Sequence, residues 1–168
     1  AFDQSTDEGR ARNARWSAST LNEAGSLQYY VALKGDAVVG VAGIYRALSG
    51  YTALLGAEPP QPQLENHDTY WLGWFGVSAG CQKQGVGKKL LAASVKEAMQ
   101  RAGARADESQ YAIYADVGAI AYYKELGLTQ VSDIAGGHGI MVAPLKALAA
   151  RLGVDAPQPM VEGVQHLG

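Results

Sequence analysis

The sequence predicts an α+β domain built on a mixed β-sheet. Its strand and helix patterns follow one another in the order β-β-long loop-β-α-β-α-β-β, and a glycine-rich turn joins one strand to a long amphipathic helix. Because a helical crossover reverses the chain direction twice, the two strands that this helix connects should be parallel. The length of 168 residues suits one domain with a sizeable core.

Two apolar runs near the start predict a β-hairpin. Residues 27–34 are rich in Tyr and Val, and residues 37–45 form the partner strand. Gly35-Asp36 between them has Gly first, which indicates a type II′ turn. Residues 48–68 contain three prolines and are expected to form a long loop, of the kind that is usually functional or mobile.

The rest of the chain alternates strands with helices. Residues 70–77 read as a strand, whose alternation predicts Trp71 and Phe75 on one face and Trp74 on the other. Residues 86–102 carry an apolar face at a 3.6-residue period, which predicts a helix that ends at Gly103. The remaining predicted elements are strands at 110–115, 129–133 and 139–143 and helices at 118–126 and 145–152.

The two ends of the chain are predicted to lie outside this sheet. Residues 1–26 are polar and mixed in charge, and we expect them to be at least partly helical. The central domain is expected to span residues 27–145. Residues 146–168 should form a short helix followed by a tail that contains two prolines.

Composition and charge exclude several classes of protein. The net charge of −2 and the pI of about 5.9 show no basic bias, so neither nucleic acid nor a membrane is an expected partner. His67, His138 and His166 are far apart in sequence, so no metal site is expected. The polar N-terminus is unlike a secretory signal and Cys81 is the only cysteine, which together suggest a cytoplasmic protein.

The most informative stretch is Gln82-Lys83-Gln84-Gly85-Val86-Gly87-Lys88-Lys89, between a predicted strand and a predicted helix. The first backbone N–H groups of a helix lack an intrahelical acceptor and lie at the positive end of its dipole. Gly85 and Gly87 have no Cβ, so a diphosphate can approach the backbone closely, and three lysines add positive charge. The stretch therefore predicts a site for a phosphorylated ligand.

Two better-known phosphate motifs do not match this stretch. A P-loop requires Gly-Lys after four intervening residues; Gly80 and Gly85 have the spacing, but Val86 follows them. A dinucleotide-binding fingerprint requires a third glycine, and Leu90 occupies that position. Nucleotide and dinucleotide ligands are therefore disfavoured.

The turn instead resembles motif A of the GCN5-related N-acetyltransferase (GNAT) superfamily, Gln/Arg-x-x-Gly-x-Gly/Ala, which Gln82, Gly85 and Gly87 match. The preceding Phe75-Gly76-Val77 resembles the end of the family's strand before that turn. Further along, residues 119–128, Ala-Ile-Ala-Tyr-Tyr-Lys-Glu-Leu-Gly-Leu, resemble the motif B helix. The resemblance covers roughly residues 27–143, with the two motifs in the right order and at the right separation.

This resemblance implies a fold, a reaction and partners. The fold would be the three-layer, α/β-type arrangement of the acyl-CoA N-acyltransferases: a mixed, mostly antiparallel sheet with a central, splayed parallel strand pair, flanked by helices. The reaction would be direct acetyl transfer from acetyl-CoA to a primary amine in a ternary complex. Acetyl-CoA would be the co-substrate, no metal would be needed, and a homodimer would be in keeping with the family.

The resemblance also assigns site residues. Tyr123 aligns with the family's tyrosine acid, which protonates the leaving thiolate, and Tyr122 lies about 100° further round the same helix. The base that takes the amine proton is expected among Glu65, His67 and Asp68, just before the central strand. The residues expected to contact acetyl-CoA are Phe75, Val77, Gln82, Lys83, Gln84, Gly85, Val86, Gly87, Lys88, Asp116 and Tyr123.

Two features of the sequence depart from the family pattern. Asp116 occupies a position where the family usually has Asn, and the family's first strand and one of its helices are not evident ahead of Leu27. Two alternatives to an enzyme therefore stay open: an acyl-CoA-binding or sensing domain without catalysis, and a protein-interaction module. The acceptor is equally open between small amines and amines of peptides or proteins.

Overall fold

The computed structural model describes residues 27–47 and 49–155. Its strands are β1 (Gln28–Lys34), β2 (Ala37–Tyr45), β3 (Thr69–Val77), β4 (Gln110–Asp116), β5 (Thr129–Gln130) and β6 (His138–Pro144), in the sheet order β1-β2-β3-β4-β6-β5. The helices of this part of the chain are α1 (Tyr51–Leu54), α2 (Val86–Ala102), α3 (Ile120–Glu125) and α4 (Leu145–Leu152), and none of them is long and apolar enough to cross a membrane. The predictions for residues 1–26 and for the tail beyond residue 155 lie outside the described residues.

The central strands β3 and β4 are parallel, as the sequence predicts, but they separate part-way along. Their pairing ends at Leu72 and Ile113, although β3 continues to Val77 and β4 to Asp116. The other strand pairs of the described sheet are antiparallel. The two central strands therefore diverge and leave an opening in the middle of the sheet.

Each face of the sheet carries its own apolar core. Helices α2 and α4 lie on one face and enclose the helix-side core, which is centred on Leu91, Val95, Met99, Tyr111, Ile113, Tyr123, Met141 and Leu148. The segment around α1 lies on the other face and encloses the loop-side core, which consists of Tyr45, Ala47, Tyr51, Leu55, Ala57, Leu64, Trp71, Ala112 and Ile140. The opening between β3 and β4 lies between these two cores.

Glycine conformations set the bounds of two predicted elements. Gly35 has a φ of +60°, as the first central position of a type II′ turn requires. Gly85, with a φ of +78°, immediately precedes α2, and Gly103, with a φ of +53°, ends it. Glycine adopts such positive φ values more readily than other residues do. The structure confirms both the predicted turn and the predicted helix at 86–102.

A β-bulge in β3 overturns the prediction for its aromatic side chains. The register between β2 and β3 shifts between Gly73 and Phe75, with Trp74 as the inserted residue. Trp71 and Trp74 both pack against the loop-side core, whereas Phe75 packs against the helix-side core. The prediction that Trp71 and Phe75 share a face is wrong, because one inserted residue moves every later side chain to the opposite face.

Two other predicted elements differ from the structure. The loop at 48–68 is not wholly irregular, since it contains α1 and a 3₁₀ turn at Pro62–Leu64. Strand β5 covers only Thr129–Gln130 instead of residues 129–133. Val131 still donates to the carbonyl of Ile140 (2.9 Å), but the N–H of Asp133 donates to the carbonyl of Glu58 (2.7 Å), so the chain has left β6 by that residue.

Candidate active site

A cavity of about 250 Å³ lies where β3 and β4 diverge. Its walls come from both cores, since Ile113 and Tyr123 belong to the helix-side core and Tyr51 and Leu55 to the loop-side core. The opening therefore connects the two faces of the sheet. The lining residues are Tyr45, Tyr51, Leu55, Leu72, Gly73, Trp74, Phe75, Ile113, Tyr114, Ala115, Asp116, Ala119, Tyr122, Tyr123 and His138.

The start of α2 offers backbone donors just beyond the end of β3. Gly85 (φ +78°) and Lys83 (φ +58°) both have left-handed backbone conformations in the turn that leads to the helix. Among the described residues no side chain caps this helix, and its first turn contains no acidic residue. Its first N–H groups are therefore available to an anion at the positive end of the helix dipole.

Two glutamine side chains hold this turn in place. Gln82 Nε2 donates to the carbonyl of Val77 (3.1 Å), and Gln84 Nε2 donates to the carbonyl of Gly80 (3.0 Å). Both bonds run from the turn back to the segment that precedes it, and Lys83 between them is exposed. The glutamine of motif A therefore has a visible structural task, which is to tie the turn to the end of β3.

The other predicted acetyl-CoA contacts surround the same turn. A Cβ on Gly87 would lie 3.4 Å from Phe75 Cζ and 3.7 Å from Val77 Cγ2, so glycine at this position lets α2 approach β3 closely. Phe75 and Val77 lie beyond the last β3–β4 pair, on the part of β3 that β4 has left. Val86 packs against the helix-side core, and Lys88 is exposed. The structure thus brings the turn and the open edge of β3 together.

The two adjacent tyrosines of α3 differ in their surroundings. Tyr123 is 4% exposed and belongs to the helix-side core, whereas Tyr122 is 39% exposed, and both line the cavity. Burial raises the pKa of Tyr123 well above its usual 10, with a smaller contribution from neighbouring Tyr122. The described residues offer the Tyr123 hydroxyl no hydrogen-bond partner. Tyr123 is therefore a protonated phenol facing the cavity from the helix side.

Asp116 lies at the end of β4, on the rim of the cavity. Its Oδ1 accepts a hydrogen bond from the N–H of Gly118 (2.8 Å), and it caps the 3₁₀ turn at Val117–Ala119 that leads into α3. An aspartate can make this bond as well as the asparagine of the family pattern can, since both side chains carry an acceptor oxygen. The departure from the pattern therefore leaves the entry to α3 intact.

Glu65, one of the three base candidates, holds the start of α1. Its carboxylate accepts hydrogen bonds from the N–H of Gly50 and from the N–H (2.7 Å) and the hydroxyl (2.5 Å) of Thr52. These donors engage both carboxylate oxygens, and Glu65 does not line the cavity. The structure shows it as the cap of a short helix.

His67 and Asp68 also lie away from the cavity. His67 is exposed, with Nδ1 3.3 Å from a guanidinium nitrogen of Arg46, and Asp68 forms an ion pair with Arg105 at 2.6 Å. Because a strand rises about 3.3 Å per residue, Asp68, just ahead of β3, is about 13 Å from Leu72, the first residue of β3 that lines the cavity. The structure therefore does not bring the three base candidates to Tyr123.

Four side chains at the loop-side end of the cavity were not singled out from the sequence. The hydroxyls of Tyr45 and Tyr51 share a hydrogen bond, and the hydroxyl of Tyr114 donates to the carbonyl of Leu55 (2.8 Å). His138 stacks on Tyr114, with ring centroids 4.8 Å apart and planes 11° apart. These side chains come from four separate elements. In the sequence, Tyr114 falls near the end of the predicted strand at 110–115 and His138 falls just before the predicted strand at 139–143. No local pattern shows that these two ends lie side by side.

Comparison with protein families bears directly on this arrangement. The model of the Acetyltransferase (GNAT) family matches residues 2–128, well over half of the chain. The chain belongs to the GNAT acetyltransferase family. The match begins well ahead of residue 27, so it includes the N-terminal segment in which the family's first elements were not evident from the sequence.

Solved GNAT structures share the fold at low sequence identity. An acetyltransferase of the GNAT family from Staphylococcus aureus Mu50 aligns with a TM-score of 0.54 and 14% identity, over 82% of this chain and 78% of that one. Tetrahymena GCN5 aligns with a TM-score of 0.50 and 17% identity, over 86% of this chain and 96% of that one. A comparison with curated proteins found no match. The predicted GNAT fold, with its splayed parallel pair, is confirmed.

Proposed function

We propose that this GNAT family member transfers an acetyl group from acetyl-CoA directly to the nitrogen of a small primary amine. The observation that carries the proposal is the cavity between β3 and β4, which has the uncapped start of α2 beyond one side and an aromatic end on the other. A donor and an acceptor can reach one point from opposite faces of the sheet. Such an arrangement suits a ternary complex, in which positioning supplies much of the rate acceleration.

Backbone groups would hold most of acetyl-CoA. The N–H groups at the start of α2 suit the pyrophosphate, and each charge-assisted bond there contributes about 1.5–3 kcal/mol. The pantetheine would lie as an added strand along Phe75 and Val77, on the edge that β4 leaves open. Lys83 and Lys88 are exposed beside the turn and can approach phosphate oxygens.

Tyr123 is the acid that we assign to the leaving thiolate. Its raised pKa keeps the phenol protonated throughout the neutral range, and its hydroxyl is not committed to another described residue. A thiolate in the same cavity is also poorly solvated, and this increases its affinity for a proton. Tyr122 is more exposed and lies about 100° round the helix, so it is the less suitable of the two.

The acceptor end favours an amine that is carried on an apolar or aromatic group. Tyr45, Tyr51, Leu55, Trp74 and Tyr114 supply flat, uncharged surface. Among the described residues Asp116 is the only acidic side chain in the lining, so little there recognises a second positive charge. The volume of about 250 Å³ also suits a small acceptor better than a folded one.

Calorimetry with acetyl-CoA and a thiol-release assay would test this proposal. Three primary amines serve as acceptors: phenylethylamine, butylamine and the diamine cadaverine. We expect acetyl-CoA to bind, and phenylethylamine to give the highest kcat/KM and cadaverine the lowest. Absence of acetyl-CoA binding would refute the proposal. Binding without thiol release would instead favour the acyl-CoA-sensing alternative.

A further inference from the structure

His138 lies on the face of the sheet opposite to Tyr123. It is the first residue of β6, in which Ile140 and Val142 point to the loop-side core, and strand alternation places His138 on that same face. Tyr123 belongs to the helix-side core. Both side chains nevertheless line the one cavity, so they approach a bound thioester from opposite sides.

Contacts within its own hairpin and with β4 fix the His138 ring. Nδ1 lies 2.9 Å from the carbonyl oxygen of Gly136, and one ring face stacks on Tyr114. A carbonyl oxygen can only accept, so Nδ1 must carry a proton, and the neutral ring then has a bare lone pair on Nε2. Tyr114 is itself anchored by its bond to the carbonyl of Leu55. The ring is thus held in the tautomer that a general base requires.

We propose that Nε2 of His138 accepts the proton that the acceptor amine loses when it attacks the thioester carbon. This inference rests on the proposed function and extends it with a base from a part of the chain remote from the three candidates of the sequence. His138 and the aromatic side chains lie on the face from which an amine would enter, whereas Tyr123, toward which the sulfur would leave, belongs to the helix-side core.

The amine reacts as its neutral form, having given its ammonium proton to solvent. Its lone pair forms the N–C bond, one N–H proton passes to Nε2, and the C–S bond breaks with its electron pair on sulfur. The sulfur takes the phenolic proton of Tyr123. Imidazolium and phenolate then return to their neutral forms by exchange with solvent, and the products are the amide and the thiol.

Other groups around the cavity are less suited to accept this proton. The hydroxyls of Tyr45 and Tyr51 are bonded to each other, and a phenol is protonated at neutral pH. Asp116 lies on the rim, with Oδ1 engaged by the N–H of Gly118. The neutral imidazole of His138, with its bare Nε2 lone pair, is the group in this lining whose chemistry suits a general base.

The other titratable side chains around the cavity could also contribute to the pH dependence of the rate. Asp116 lies opposite His138 in the β4–β6 register and supplies the one carboxylate among the described residues of the cavity lining. Asp133 belongs to the same hairpin but does not line the cavity. The remaining titratable side chains of the lining are phenols, which are uncharged below about pH 9: Tyr45, Tyr51, Tyr114, Tyr122 and Tyr123.

The test compares wild type with His138→Asn and Asp116→Asn, with phenylethylamine as acceptor. The Asn amide can still donate to the carbonyl of Gly136 but supplies no base. We expect His138→Asn to lower kcat/KM on the order of 10²-fold, to abolish the ascending limb that a titrating base gives the wild-type pH profile, and to leave the Kd of acetyl-CoA within twofold. Imidazole in the buffer should partly restore the rate of His138→Ala.

A second measurement does not depend on turnover. Two-bond ¹H–¹⁵N correlation spectra of the full chain report the tautomer of His138, and we expect protonated Nδ1 and bare Nε2 at pH 8. A protonated Nε2 would overturn the inference. So would an unchanged pH limb in folded His138→Asn, or loss of that limb in Asp116→Asn instead. Absence of acetyl-CoA binding, or binding without thiol release from any of the three amines, would refute the proposed function itself and this inference with it.

Discussion

The two ends of the cavity are built in different ways. The donor end comes from one continuous stretch, residues 75–88, and consists largely of backbone groups fixed by glycine conformations and by two glutamine side chains. The acceptor end is assembled from side chains on β2, α1, β3, β4 and β6. Backbone donors persist through most substitutions, but side chains do not. The donor end should therefore fail only when its backbone is forced to change, whereas single substitutions should alter acceptor use.

The largest effect is expected where the two ends meet, at Tyr123. Tyr123→Phe removes the phenolic proton that we assign to the leaving thiolate, and we expect kcat to fall about 10²- to 10⁴-fold with little change in acetyl-CoA affinity. Because burial raises the pKa of Tyr123 above 10, the wild-type rate should not decline through loss of this acid between about pH 8 and 10. Tyr122→Phe is the matched comparison, and an equal loss of rate there would contradict the assignment.

The next effect tests the backbone character of the donor end. Gly85 has a φ of +78°, and a Cβ there would enter open space, where we propose that the pyrophosphate binds. Gly85→Val places a β-branched residue in a conformation that costs about 1–2 kcal/mol, and we expect acetyl-CoA affinity to fall at least about tenfold in calorimetry. Gly80→Ala is the control, since a Cβ there has no neighbour within 4 Å and needs no left-handed backbone. Similar losses in both variants would show that the turn is not conformationally special.

A third variant tests whether Glu65 contributes to catalysis or to the stability of the fold. Glu65→Gln replaces an acceptor oxygen with an amide donor opposite the N–H groups of Gly50 and Thr52. We expect the free energy of unfolding to fall by about 1–2 kcal/mol in urea titrations, with kcat per folded molecule unchanged. Glu58→Gln, on an exposed side chain of the same segment, should have little effect on either quantity. A large loss of kcat with unchanged stability would return Glu65 to the role of base.

The smallest effect is expected at the acceptor end. Tyr51→Phe deletes one hydroxyl of the Tyr45–Tyr51 pair but keeps the ring that lines the cavity. We expect the KM of phenylethylamine to change only a few-fold and the Kd of acetyl-CoA to remain constant. A change in acetyl-CoA affinity of the same size would show that the two ends are not separate.

Local patterns were enough to predict the turn at residues 82–88 and most of the elements around it. Helix α2 begins and ends where glycines were seen, and its buried residues include the apolar positions Leu90, Leu91, Val95 and Met99 that the 3.6-residue period predicts. The parallel arrangement of β3 and β4 follows from the crossover between them. Each of these signals lies within a few residues of the feature that it predicts.

The acceptor end could not be predicted in the same way. Its side chains meet only through the sheet order, which places β6 beside β4 and leaves α1 over the far face. The bulge at Trp74 has no local signature that the alternation of β3 would reveal, and it reverses the faces of the residues after it. The sequence therefore directed attention to Glu65, His67 and Asp68, which precede the strand, and away from His138, which is remote in sequence.

The bond between Glu65 and the start of α1 has a consequence for how such a protein can diversify. Gly50 and Glu65 are 15 positions apart in sequence, yet they touch, so the segment between them leaves and returns at one place. Once the ends of a loop are held together, each doubling of its length costs only about 0.6 kcal/mol of closure entropy. Residues can thus be inserted at exposed positions of this segment at little cost to folding, provided that its buried side chains, which include Tyr51 and Leu55, keep their places in the loop-side core. Changes in this segment can therefore alter which amine the protein accepts, while the proposed acetyl-CoA site stays the same.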